Sequence, residues 1–87
     1  LSVIGSYAFD DCRNLTSLLI PDSVITISDH AFDGCDDLVS VTIGNGVTTI
    51  GEGAFSYCYS LSTVYYTGTK SQWKKITVGE ANGKLIP

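Results

Sequence analysis

Ile20-Pro21-Asp22-Ser23-Val24-Ile25-Thr26-Ile27-Ser28-Asp29-His30-Ala31-Phe32-Asp33-Gly34-Cys35-Asp36-Asp37-Leu38 is one unit of a repeat that decides the fold. Its Ile27, Ala31, Phe32, Cys35 and Leu38 stand 23 residues after Ile4, Ala8, Phe9, Cys12 and Leu15. The same five residue types return at Ile50, Ala54, Phe55, Cys58 and Leu61. A fixed period of this length marks a solenoid, because each turn can bury its apolar face only against the next. Nothing in the pattern names a ligand.

Within a unit, Leu38, Val41 and Ile43 give the spacing L-x-x-V-x-I, and Val41 and Ile43 alternate as in a strand with one buried face. The equivalents are Leu15, Leu18 and Ile20 before, and Leu61, Val64 and Tyr66 after. Three such strands stacked in parallel satisfy one another's backbone groups. Pro21 and Gly44 end the first two strands, since proline lacks a ladder N–H and glycine tolerates turn geometry. Val24-x-x-Ile27 and Val47-x-x-Ile50 read as a short extended return facing the core. The following I-x-x-x-A-F-x-x-C places Phe55 and Cys58 three apart, which suits one helical or 3₁₀ turn. Stacked units then build a phenylalanine ladder (Phe9, Phe32, Phe55) and an isoleucine ladder (Ile4, Ile27, Ile50). The predicted class is an α/β repeat solenoid, a right-handed coil of parallel strands and short helical turns.

The pattern stops after Tyr66, where Lys70 takes the column of an apolar residue. Ser71 is the expected N-cap of a short helix with Trp73 and Ile76 on one face. The chain therefore divides into about three units over 1–66 and a cap or transition segment over 67–87. Asn82-Gly83 has turn chemistry, and Leu85-Ile86 is an apolar pair able to begin a further strand. Leu1 stands in the column of Val24 and Val47, so the chain opens inside a unit. An open strand edge tends to pair with another chain. Self-association through that end, or disorder of its first residues, is expected.

The 19-residue stretch from Ile20 to Leu38 resembles the BspA-like class of leucine-rich repeat, which repeats I-P-x-x-V-x-x-I-G-x-x-A-F-x-x-C-x-x-L-x-x-V. The resemblance runs from Leu1 to Tyr66, and Val64 to Ile76 looks like the ending such arrays carry. Ser28 stands where Gly5 and Gly51 stand in other units, and Gly44 replaces Pro21. The resemblance implies a curved leucine-rich repeat solenoid, part of a longer array from a large surface or secreted protein of anaerobic bacteria or some protists. It implies an extracellular or cell-surface location, and binding of other proteins or cell-surface molecules in place of catalysis.

Composition narrows the partners further. The 87 residues carry five Lys plus Arg against nine Asp plus Glu, for a net charge of -4. That excludes nucleic acid, whose phosphates demand clustered cations, and argues against anionic lipid surfaces. No apolar run is long enough to insert in a bilayer.

Several residues invite a chemical reading. Cys12, Cys35 and Cys58 are spaced 23 apart and lack the C-x₂-C pairing of a zinc site. Neighbouring rungs bring two of them within disulfide range, but their apolar columns favour three small core residues. Asp10, Asp11, Asp33, Asp36 and Asp37 gather on adjacent turns, where calcium would find oxygens. Ser56, Tyr59 and Ser60 interrupt those columns in the third unit, which favours a solvated face. No metal and no cofactor is expected. His30 is the only histidine, and no serine has a nucleophile-elbow context. Catalysis is not expected. Tyr57, Tyr59, Tyr65, Tyr66 and Trp73 cluster late in the chain, where they could stack on carbohydrate or pack the cap.

The sharper functional expectation lies on the strands. Ser17, Leu19, Ser40, Thr42, Thr63 and Tyr65 occupy the outward positions and form a hydroxyl-bearing strip with Leu19 and Tyr65 as apolar anchors. Ser and Thr are also good outward strand residues without any ligand. The expected function is an extracellular protein-binding or adhesion module. The alternative is a structural spacer that presents another domain.

Overall fold

A computed structural model describes residues 2–83. Leu1 and the Leu85-Ile86 pair read above as a strand start lie outside the described residues. Seven strands and one helix follow in chain order: β1 (Val3–Ile4), β2 (Ser17–Ile20), β3 (Thr26–Ile27), β4 (Ser40–Ile43), β5 (Thr49–Ile50), β6 (Thr63–Tyr66), α1 (Lys70–Lys74) and β7 (Thr77–Val78). The long strands form one parallel sheet, β2-β4-β6, and the short ones another, β1-β3-β5-β7. Every pairing is parallel, and the repeat columns meet in register: Ile4 with Ile27, Ile27 with Ile50, Val41 with Val64.

Between the two sheets lies the core that the repeat anticipates. Ile20, Val24, Ile27, Ala31, Phe32, Cys35, Leu38, Val41 and Ile43 of the middle unit are all buried. Phe32 sits between Phe9 and Phe55, each ring centroid 5.2 Å from its own and nearly parallel. The phenylalanine ladder is therefore real, although Phe9, with a neighbour on one side only, remains 45% exposed.

The segment between the sheets works differently from a helix. Every second N–H closes a 3₁₀-type bond to the carbonyl three residues back, as Ala8 to Gly5, Asp10 to Tyr7 and Cys12 to Phe9. The alternate N–H groups point along the stack to the next rung: Phe9 to Ala31 at 2.8 Å, Phe32 to Ala54 at 2.8 Å, Gly34 to Ser56 at 2.9 Å. Left-handed residues enforce this alternation, at Tyr7, His30 and Gly53 in one column and Asp11, Gly34 and Tyr57 in another. Helical bonding alone would leave neighbouring rungs unlinked here. The expected helical turn is thus realised as linked turns that also stitch rungs together.

Gly44 stands in the second unit where Pro21 stands in the first. Its N–H donates to the Ile20 carbonyl at 2.8 Å. A Cβ there would lie 2.6 Å from the Pro21 carbonyl carbon.

Past Tyr66, Thr69 is the helix N-cap, where Ser71 was expected. Thr69 Oγ1 accepts the Gln72 N–H at 3.1 Å, and Gln72 Oε1 accepts the Thr69 N–H at 2.8 Å. Ser71 has Lys74 three residues on and could form no such reciprocal box. Trp73 lies against Tyr66, with ring centroids 5.2 Å apart, and Ile76 enters the core. β7 then pairs with β5, Thr77 opposite Thr49 and Val78 opposite Ile50. The short-strand sheet therefore continues past residue 66.

Candidate functional site

The outward face of the β2-β4-β6 sheet brings all six strip residues together in two columns. Ser17 pairs with Ser40 and Ser40 with Thr63; Leu19 pairs with Thr42 and Thr42 with Tyr65. Parallel neighbours stand about 4.8 Å apart, so Leu19 and Tyr65 flank Thr42 across roughly 10 Å. Leu19 is 71% exposed and Tyr65 60%. Alternation along each strand sends Leu18, Val41 and Val64 to the core side and these residues outward.

None of the six is an acidic or basic residue of the Asp, Glu, Lys, Arg or His type. Among the described residues the hydroxyls of Ser17, Ser40, Thr42 and Thr63 make no hydrogen bond. Each therefore keeps a donor and acceptor for a partner. The strip can hydrogen-bond along two columns while Leu19 and Tyr65 bury apolar surface. One contributor escaped the sequence reading: Val39, just before β4, is 46% exposed. It is the first variable position of L-x-x-V-x-I, just ahead of the strand that begins at Ser40. Its amide donates to Thr16 O at 2.8 Å, and its carbonyl accepts from Ser62.

The remaining candidates separate by burial. All three cysteines are free thiols, with Cys35 and Cys58 buried and Cys12 half-buried. Each buried thiol donates to a carbonyl of the preceding rung, Cys35 Sγ to Phe9 O and Cys58 Sγ to Phe32 O, both at 3.3 Å. Burial pushes the Cys35 thiol up, and pushes Cys58 up to about 12. Nucleophilic chemistry needs the thiolate, so these positions suit packing. Asp10, Asp11 and Asp37 are exposed, while Asp33 and Asp36 are half-buried. His30 Nδ1 and Asp33 Oδ2 lie 3.1 Å apart. Ser56 Oγ, on the next rung, makes no hydrogen bond to that histidine.

A groove of about 630 Å³ opens on the turn side of the third rung, lined by His30, Asp33, Ser56, Tyr57, Tyr59 and Ala81 over a floor of Phe55 and Cys58. The sequence signal for it is the change from Asp33-Gly34-Cys35-Asp36-Asp37 to Ser56-Tyr57-Cys58-Tyr59-Ser60.

Residues 1–78 match the family described as "BspA type Leucine rich repeat region", in six copies. A leucine-rich cell surface protein from Faecalibacterium prausnitzii A2-165, solved by crystallography, is similar at 38% identity and a TM-score of 0.84. The similarity covers 87% of this chain and 20% of that one, so the chain spans about a fifth of that protein's length. No curated protein matches.

Proposed function

This chain belongs to the family of BspA-type leucine-rich repeats, and from that premise we propose that it is a surface-displayed repeat segment that binds another protein through its outward strand face. The observation that carries the reading is the Leu19–Thr42–Tyr65 column, in register and exposed at both ends. Aromatic anchors ringed by smaller polar residues are the usual make-up of a binding hot spot. The buried columns repeat from rung to rung and describe the scaffold. The outward columns change from Leu19 to Thr42 to Tyr65, and specificity resides where residues differ.

Size sets a condition on the partner. A stable interface uses about 800 Å² and some 20–30 residues on each side. Six residues supply only the centre of that, so the partner extends over Thr16, Val39 and Ser62 or along neighbouring rungs. The surface location rests on the family and on the cell-surface relative from Faecalibacterium prausnitzii. Among the described residues no helix is long and apolar enough to cross a membrane.

The test is retention of extracellular proteins on the immobilised chain, with Thr42→Lys and Tyr65→Ala as paired variants. Loss of a retained protein in both variants, with unchanged melting temperatures, supports the strip as the interface. Equal retention by wild type and both variants moves the interface elsewhere. No retained protein at all favours the rigid-spacer reading.

A further inference from the structure

We propose that the groove on the turn side of the third rung is a binding site for a neutral oligosaccharide. It lies on the turns, separate from the strand face, and Tyr57 and Tyr59 are its principal contacts.

Tyr57 and Tyr59 are 62% and 66% exposed, and their rings meet edge to face with centroids 5.9 Å apart. Their planes are inclined by 66°. Two inclined aromatic walls offer C–H-rich sugar faces more contact than one flat platform does. Their hydroxyls provide polar ends beside that apolar surface. The groove's volume of about 630 Å³ falls within the ordinary range of small-ligand sites, about 300–1,000 Å³. It suits a short oligosaccharide better than a protein chain.

The lining also separates sugar classes. His30 Nδ1 and Asp33 Oδ2 are hydrogen-bonded at 3.1 Å, leaving a carboxylate oxygen and a ring edge for sugar hydroxyls. Ser56 Oγ is buried with no hydrogen-bond partner among the described residues. An orphan polar atom beside a groove marks a place where a ligand hydroxyl, or a water it orders, completes the bonding. Among the described residues no Lys or Arg lines the groove, and Asp33 does. Asp36 and Asp37 lie nearby on the preceding rung, and the chain is net negative. Acidic sugars are therefore repelled and neutral ones are not.

Tyr57 is left-handed, with φ of 58°, as are Asp11 at 57° and Gly34 at 78° in the same column, so the turn of the scaffold sets this conformation and carries the tyrosine to the groove. One column away, the Tyr7 ring stacks on His30 at 5.1 Å. Gly53 ends that stack without a side chain, and a Cβ there would lie 2.6 Å from the His30 ring. His30 is therefore seated in the groove wall by Tyr7 below and by the bare Gly53 above.

The experiment titrates the chain with cellohexaose, maltohexaose and laminarihexaose, and with hexagalacturonate as the acidic comparison. Binding is read from chemical shifts of the tyrosine rings. At least one neutral hexasaccharide is expected to bind and to shift Tyr57 and Tyr59. Tyr57→Gly should weaken it about 10-fold, the loss of one aromatic contact, with a melting temperature at or above wild type. Tyr59→Ala should weaken it similarly, at a position with no left-handed constraint. The proposal is overturned by binding of none of the three, by equal binding in both variants, or by tighter binding of hexagalacturonate.

Discussion

Asn82 Oδ1 accepts the Phe55 N–H at 2.8 Å, in the place that the Ala54 carbonyl takes for Phe32 and the Ala31 carbonyl takes for Phe9. A side chain thus substitutes for the backbone of a further rung. The carbonyl ladder itself runs one step beyond the third unit, since Gly53 donates to Glu80 O at 2.8 Å as His30 donates to Glu52 O. At Asn82 it changes to an amide. The Nδ2 of that amide donates to Gly51 O, Gly79 O and Glu80 O, tying the last strand's exit to the third rung. Asn82 is also 2% exposed, so its partners have no water to replace it.

Replacing Asn82 by Ala leaves the Phe55 N–H and several carbonyls buried without partners. Each buried group left unsatisfied costs about 1–3 kcal/mol, a large fraction of a small domain's stability. Asn82→Asp keeps the acceptor but loses the donor and buries a charge, so it should be nearly as harmful at pH 7 and partly relieved at acidic pH. Urea melts at both pH values measure this. An Asn82→Ala loss below about 0.5 kcal/mol would show that the ladder needs no such terminus.

Phe32 is, with Phe55, the largest fully buried side chain among the described residues. It is fully buried and its ring is stacked on both faces, by Phe9 and Phe55. Removing it leaves a cavity in the middle rung and exposes two aromatic faces. Phe32→Ala is expected to cost about 3–5 kcal/mol. Phe9→Ala should cost much less, because Phe9 is already 45% exposed. Thermal melts of the two variants test the ranking, and equal losses would contradict the central position of Phe32.

The buried columns were legible from the 23-residue period because burial dictates residue type at Ile27, Phe32 and Leu38 whatever the surroundings. The outward strip was legible too, since period-2 alternation from Val41 and Ile43 places Thr42 outside. The left-handed turns were not. Tyr7, His30 and Asp11 carry positive φ without being glycine, so nothing in their identity betrays it; only Gly34 and Gly53 in the same columns hint at it. Asn82 was read as turn chemistry, because its caps depend on the Phe55 amide, 27 residues away. The groove is lined jointly by Tyr57 and Ala81, which lie on different turns of the chain, and local patterns do not encode that.

Gly44→Pro restores the residue found at Pro21 and at that place in the family's repeat, yet it should destabilise. Proline would remove the N–H that donates to Ile20 O. It would also bring a Cβ to 2.6 Å from the Pro21 backbone, where no flexible side chain can give way. The expected loss exceeds about 2 kcal/mol, one unsatisfied carbonyl plus steric displacement. Circular dichroism melts of Gly44→Pro and of Gly44→Ala separate the two contributions. A Gly44→Pro protein as stable as wild type would mean adjacent rungs tolerate consecutive prolines.

Cys58 makes the fold sensitive to alkaline pH. Its thiol is held up to about 12 by burial, with the neighbouring Cys35 adding to the effect, against an ordinary value of 9.0. Below pH 9 both folded and unfolded chains hold the proton, and this group adds no pH dependence. Above pH 9 the unfolded thiol ionises while the folded one does not, so the unfolded state binds fewer protons and stability falls as pH rises. The slope approaches about 1.4 kcal/mol per pH unit for one group, until the folded thiol itself ionises near 12. Cys35 is shifted in the same direction by burial and steepens the fall. Chemical denaturation between pH 7 and 11 should show a plateau and then a decline. The informative comparison is with Cys58→Ala, whose decline should be shallower by that one-proton slope. Superimposable profiles would mean that Cys58 ionises as readily in the folded chain as in the unfolded one.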